Sequence, residues 1–118
     1  MKDQAYRMAL LFDFYGDTLT DRQKEFYDLY YNEDLSLSEI AENNGISRQG
    51  VRDVIVRAQG SLTELEEKTG IIQRFLAMKD QFSAIQDQVR EIAKRSTDSE
   101  SGALCQSVID ALETMKQE

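Results

Sequence analysis

Ser47, Arg48, Gln49, Arg52, Asp53 and Arg57 lie close together in the stretch SRQGVRDVIVR. Several of these side-chain types can read the edges of DNA bases. A guanidinium, from Arg48 or Arg52, can bridge two acceptors of guanine, and the amide of Gln49 can pair with adenine. Arg57, further along, suits a phosphate, a contact that orients a protein on the duplex without reading it. Asp53 works against this chemistry. A carboxylate near phosphates is repelled unless it pairs with Arg57, four residues on, or with Arg52. The same residues would also be unremarkable on any solvated helix.

The surrounding residues supply the frame such chemistry needs. Residues 37–56 read LSEIAENNGISRQGVRDVIV. This is the layout of a helix, a glycine turn and a second helix. Ile40 and Ala41 fall on the inner face of the first helix, and Ala41 is small where the second helix crosses. Gly45 stands where the turn needs a positive φ, which glycine adopts cheaply. Ile46 then plugs the angle between the helices, and Ser47 can cap the second one. Val51 and Val54 are expected to face the core. Asn44 occupies a corner position where an apolar residue is usual, and Gly50 should loosen the start of the second helix.

Charge is uneven. The chain has 22 acidic and 14 basic residues, a net charge of −8. Residues 47–60 are the exception, with three arginines against one aspartate. Salt screens the bulk charge beyond about 8–10 Å, so local arginines can still hold phosphates, although association should be weak and salt-sensitive.

The composition excludes much else. With no histidine, no Ser-His-Asp or Cys-His set can form, and no phosphate-cradling glycine loop is present. Neither an enzyme, nor a cofactor, nor a metal site is expected. The acidic pairs Asp13/Asp17 and Glu66/Glu67 read as solvated faces. The single cysteine, Cys105, permits no intrachain disulfide and fits a reducing, cytoplasmic setting. It reads as a small core residue of the last helix. The apolar stretch from Met8 to Tyr15 is broken by Asp13 and does not resemble a signal peptide. No apolar run approaches the ~20 residues needed for membrane insertion.

The rest of the chain reads as helices without an internal repeat. Residues 3–16 form a largely apolar helix stopped at Gly16. Thr20 with Gln23, and Ser36 with Glu39, are capping boxes that open the next two helices. Eight of the ten aromatics lie in residues 1–31, bulk on which a thin helix-turn-helix can pack. Beyond residue 57, Leu62, Leu65, Ile72, Phe75, Leu76, Phe82, Ile85, Val89 and Ile92 recur at helical spacings. Gly60 and Gly70 each leave open whether one helix or two run here, because an internal glycine costs only ~1 kcal/mol. Residues 96–102 read as a polar linker. A last helix then runs from Ala103 to about Lys116, with Leu104, Val108, Ile109, Leu112 and Met115 on one side. Such a stripe on a small protein favours a second chain, and a two-fold homodimer is the commonest solution.

The stretch LTDRQKEFYDLYYNEDLSLSEIAENNGISRQGVRDVIVRA, residues 19–58, resembles region four of bacterial sigma factors, the part that reads promoter DNA. With the aromatic N-terminal helix (MALLFDFYGDTLTDRQ) and the helical arm, the chain is similar to the YlxM family of small bacterial helix-turn-helix proteins. The match is clearest over residues 5–68. The resemblance implies an all-helical fold, a bacterial cytosolic location and a regulatory role in the signal recognition particle pathway, whose components become possible partners.

The expectation is an all-α protein: a sigma-region-four-like helix-turn-helix without a wing, with an N-terminal helix, over residues 1–60, and a helical arm over 61–118 packed as one unit. The expected function is sequence-specific binding of double-stranded DNA by a homodimer. The rival is a helical interaction module for a protein or ribonucleoprotein partner, which the acidic balance favours.

Overall fold

A computed structural model describes residues 4–117. The start of the first expected helix, at residue 3, lies outside the described residues. Six helices follow in order: α1 (Ala5–Tyr15), α2 (Asp21–Tyr31), α3 (Leu37–Asn44), α4 (Arg48–Thr69), α5 (Ile71–Arg95) and α6 (Ser99–Gln117). A single 3-10 turn, Gly16–Thr18, links α1 to α2, and no strand occurs among the described residues. The fold is all-α.

The chain divides into two compact units, Met1–Ile72 and Gln73–Glu118, rather than at residue 60. Residue 60 lies inside α4, which runs unbroken to Thr69. Gly60 is helical there, and the cost of one internal glycine is too small to end a well-packed helix. Gly70 does end it, with φ of 62° in the left-handed region.

In the first unit, α4 supplies the spine of the core. Val51, Ile55, Ala58 and Leu62 are fully buried. Their spacing of four, three and four keeps them on one side of the helix. Val54, expected in this row, is only half-buried. A step of three from Val51 carries the side chain round to the edge of the buried face, and Ile55 takes the inner place. Against this row lie Leu11 of α1, Phe26 and Tyr27 of α2, and Ile40 of α3, all essentially without exposure.

The aromatic residues do more than fill space. Tyr27 stacks on Phe12 with centroids 5.4 Å apart and donates its hydroxyl to the Met8 carbonyl at 2.7 Å. That bond satisfies a phenol that burial would otherwise leave unpaired. Tyr31 lies beside Tyr27 and accepts a hydrogen bond from the Gln59 amide of α4. Tyr15 donates to Glu66 Oε1 at 2.7 Å and bonds the Thr69 hydroxyl at 2.6 Å. The same Glu66 oxygen accepts the Ile72 N–H at 3.0 Å. Glu66 is therefore half-buried and caps the start of α5, instead of lying on a solvated face. Asp17, of the other acidic pair, is exposed and bridges to Lys24 at 2.6 Å.

In the second unit, α5 and α6 form a hairpin joined by residues 96–98. The expected seven-residue linker is shorter because Asp98 starts α6: its Oδ1 accepts the Ser101 N–H at 2.6 Å. This cap holds the Asp98 carboxyl below the usual carboxylate range, the backbone bond being the main cause. Gln86 of α5 is only 1% exposed. It donates to the Ile109 carbonyl at 2.9 Å and to Glu113 at 3.2 Å, and accepts from Lys116 at 3.1 Å. A buried amide with all these partners fixes the register of the two helices.

Candidate nucleic-acid interface

The corner between α3 and α4 is built from local chemistry. Ser36 Oγ accepts the Glu39 N–H at 3.0 Å and the Glu39 carboxylate accepts the Ser36 N–H at 3.2 Å. This capping box starts α3 where expected. The helix ends at Gly45, with φ of 64° and ψ of 31°. A Cβ at Gly45 would meet nothing within 4 Å, so the dihedral alone demands glycine. The chain then reverses, with the Ile46 N–H reaching back to the Ala41 carbonyl at 3.2 Å. Asn44 finds its reason here: its side-chain amide donates to the Ile40 carbonyl at 2.8 Å, one turn back, and ties the last residue of α3 down to its own helix. Ile46 is half-buried and Ala41 buried, as the corner requires.

Ser47 takes extended backbone angles and its Oγ accepts the Gly50 N–H at 2.9 Å. It is the N-cap of α4. Gly50 does not break the helix. A Cβ there would come within 3.2 Å of Ser47 Oγ, so the missing side chain leaves room for the cap.

All six candidate interface residues are exposed: Ser47, Arg48, Gln49, Arg52, Asp53 and Arg57. Among the described residues, Arg48, Arg52 and Arg57 take part in no ion pair. Asp53 pairs with neither Arg52 nor Arg57; its Oδ1 accepts the Gln49 amide at 2.9 Å. Arg48, Gln49 and Arg52 come together with Tyr30 and Leu37 around an open cleft of about 710 Å³. Arg57 is not part of that group. At roughly 100° per residue it lies about 140° round α4 from Arg52, on the side of Asp53.

Three contributors escape sequence reasoning. Tyr30 and Leu37 form the apolar wall of the cleft. Tyr30 is one of many aromatics in its helix, and nothing local marks it. Val56 is 40% exposed on the same side of α4 as Gln49. Its signal was available: it falls off the Val51, Ile55, Ala58, Leu62 row. An exposed valine in this position suits the methyl group of thymine.

Among the described residues, no group of three or more carboxylates or thiols could hold a metal ion, and no helix is long and apolar enough to cross a membrane.

Residues 2–101 match the model of the family UPF0122, described as "Putative helix-turn-helix protein, YlxM / p13 like". A UPF0122 protein of Acetivibrio thermocellus is 43% identical over 111 residues, covering 94% of this chain and 95% of the relative. One from Halalkalibacterium halodurans is 42% identical over 96% of this chain and all of its own length. One from Listeria welshimeri is 37% identical over 98% and 97%. With a family match across most of its length and relatives that align end to end, this chain belongs to the UPF0122 family of YlxM / p13-like helix-turn-helix proteins.

Proposed function

We propose that this protein binds double-stranded DNA in a sequence-specific manner through the exposed face of α4, from Ser47 to Arg57. Arg48 and Arg52 read guanine, Gln49 and Val56 meet neighbouring bases, and Arg57 holds phosphate. The observation that carries the reading is the set of three guanidiniums without ion-pair partners on the helix that follows a left-handed glycine corner. Helix-turn-helix proteins place the start of such a helix in the major groove. The protein acts as a homodimer in the cytoplasm and regulates transcription. The resemblance to the YlxM family and to sigma region four supports a place for that regulation in the signal recognition particle pathway.

Fluorescence anisotropy tests this, with promoter DNA from the protein's own operon and a random duplex compared across a salt series. The operon DNA should bind more tightly, and the Arg48→Ala, Arg52→Ala double variant should lose the preference. Equal indifference to both duplexes at low salt, with the fold intact, sinks the proposal.

The net charge of −8 favours a second reading, in which the same surface holds a protein or a ribonucleoprotein of that pathway and reads no bases. The outcome of equal indifference supports it.

A further inference from the structure

We propose that the outer face of the α5–α6 hairpin is closed by a second copy of the same hairpin, giving an antiparallel four-helix bundle. This supplies the interface for the dimer proposed above and rests on that part of the reading.

The hairpin carries two seams on each helix but uses one. On α6, Cys105, Ile109 and Lys116 belong to the row turned toward α5, where the Ile109 carbonyl and Lys116 both bond Gln86. One residue earlier, Leu104, Val108 and Met115 repeat that spacing at 64%, 45% and 48% exposure. On α5 the inner row contains Lys79, Gln86 and Ala93. One residue earlier again, Met78, Ile85 and Ile92 recur every seventh position at 46%, 41% and 59% exposure. A shift of one residue is roughly 100° around a helix. A helix with two seams so offset packs against two neighbours, and the hairpin provides only one. In an antiparallel pair, equal offsets in the same sense fall on the same side. The six side chains therefore make one apolar face across both helices.

The charges at its borders select the occupant. The α5 border carries Arg74 and Arg95, both exposed, with Arg95 bridging to Glu91 of its own helix at 3.3 Å. The α6 border carries Glu100, also exposed. A two-fold axis along the bundle sets α5 on the other copy's α6 and brings Arg95 toward Glu100 near the turn. The alternative, α5 on α5, sets Arg74 against Arg95 and is repulsive. The face thus complements itself, as an isologous contact must. Its extent also fits. The 19 residues of α6 span ~28 Å, and two helices side by side are ~20 Å wide, giving a footprint of roughly 600 Å² per copy. Side-chain relief brings this toward the ~800 Å² that each partner buries in stable complexes.

Sedimentation equilibrium of the full chain, with circular dichroism of each variant, tests the proposal. The wild type should sediment as a dimer. Ile85→Asp should raise the dissociation constant by about 100-fold or more with helix content kept, because it sets a carboxylate in the apolar seam. Arg95→Glu should weaken the dimer, and Arg95→Glu with Glu100→Arg should restore it. A monomeric wild type at 100 µM, on the order of the weakest specific contacts, overturns the proposal. So does a dimer that Ile85→Asp leaves unchanged, or a charge reversal that restores nothing. If Ile85→Asp lowers helix content, the charge-reversal pair decides. A monomer that still prefers operon DNA overturns the interface and leaves DNA reading intact; a dimer indifferent to DNA does the reverse.

Discussion

The side-chain amide of Gln49 donates to Asp53 Oδ1 at 2.9 Å, one turn along the exposed face of α4. A neutral amide, not an arginine, holds the one acidic group of this face. No guanidinium offsets this carboxylate, and it opposes phosphate approach.

Replacing Asp53 by Asn should tighten binding to operon and random duplex alike, several-fold at low salt, with the gain fading as salt screens it. Anisotropy titrations at three salt concentrations check this. A selective loss of operon binding would show instead that Asp53 positions Gln49 for base reading.

Two glycines should respond in opposite directions to alanine. Gly45 holds a positive φ of 64°, where a Cβ costs ~1–2 kcal/mol even in open space. Gly60 is helical and a Cβ there meets nothing, so alanine should stabilise by ~0.5–1 kcal/mol. Urea unfolding of Gly45→Ala and Gly60→Ala should move the midpoint down and up respectively. The same sign for both would contradict the helix boundaries described above.

The buried phenols make the first unit sensitive to alkali. Burial is the first cause that pushes Tyr15, Tyr27 and Tyr31 above the ordinary value of 10.0. A raised folded value favours the protonated form, so its stabilisation is complete below about pH 10 and is lost above it as the unfolded chain ionises. The part of the tyrosinate absorbance that comes from these three phenols should therefore rise together with loss of helix signal, in one transition, above about pH 10. Tyr27→Phe, which also deletes the bond to the Met8 carbonyl, should lower stability by ~1 kcal/mol at neutral pH.

Acid should weaken the hairpin. The Gln86 amide first, and then Lys116, hold the Glu113 carboxyl below its ordinary value of 4.5. A lowered folded value contributes stability above the unfolded value and loses it as the pH falls below about 4.5. Glu113→Gln should flatten the acid dependence of helix content in this unit. An unchanged acid limb would show that the Glu113 contact is not maintained in solution.

Local devices were legible in the sequence because their chemistry is complete within four residues. Thr20 with Gln23, Ser36 with Glu39, the Gly45 bend and the Ser47 cap all appear where residue type and spacing place them. What escaped depends on distant partners. Glu66 looks like a surface acid until Tyr15, far away in sequence, bonds it. Leu104 and Ile109 look like one stripe until Gln86 shows which of them faces α5. Gly60 and Gly70 look alike, and only packing along α4 separates a tolerated glycine from a terminating one. Asp98 was hidden in a polar run because Ser101 in place of a carboxamide or carboxylate makes its cap less recognisable.

Backbone amide NMR of the full chain, titrated with operon duplex, examines the central claim most directly. Shifts should concentrate on residues 47–57 and on Tyr30 and Leu37 beside them, and Arg52→Ala should abolish them at the same duplex concentration. Shifts confined to other helices, or none at a concentration where duplex and protein are both above 100 µM, on the order of non-specific affinity, would contradict the assignment of α4 as the DNA-reading element.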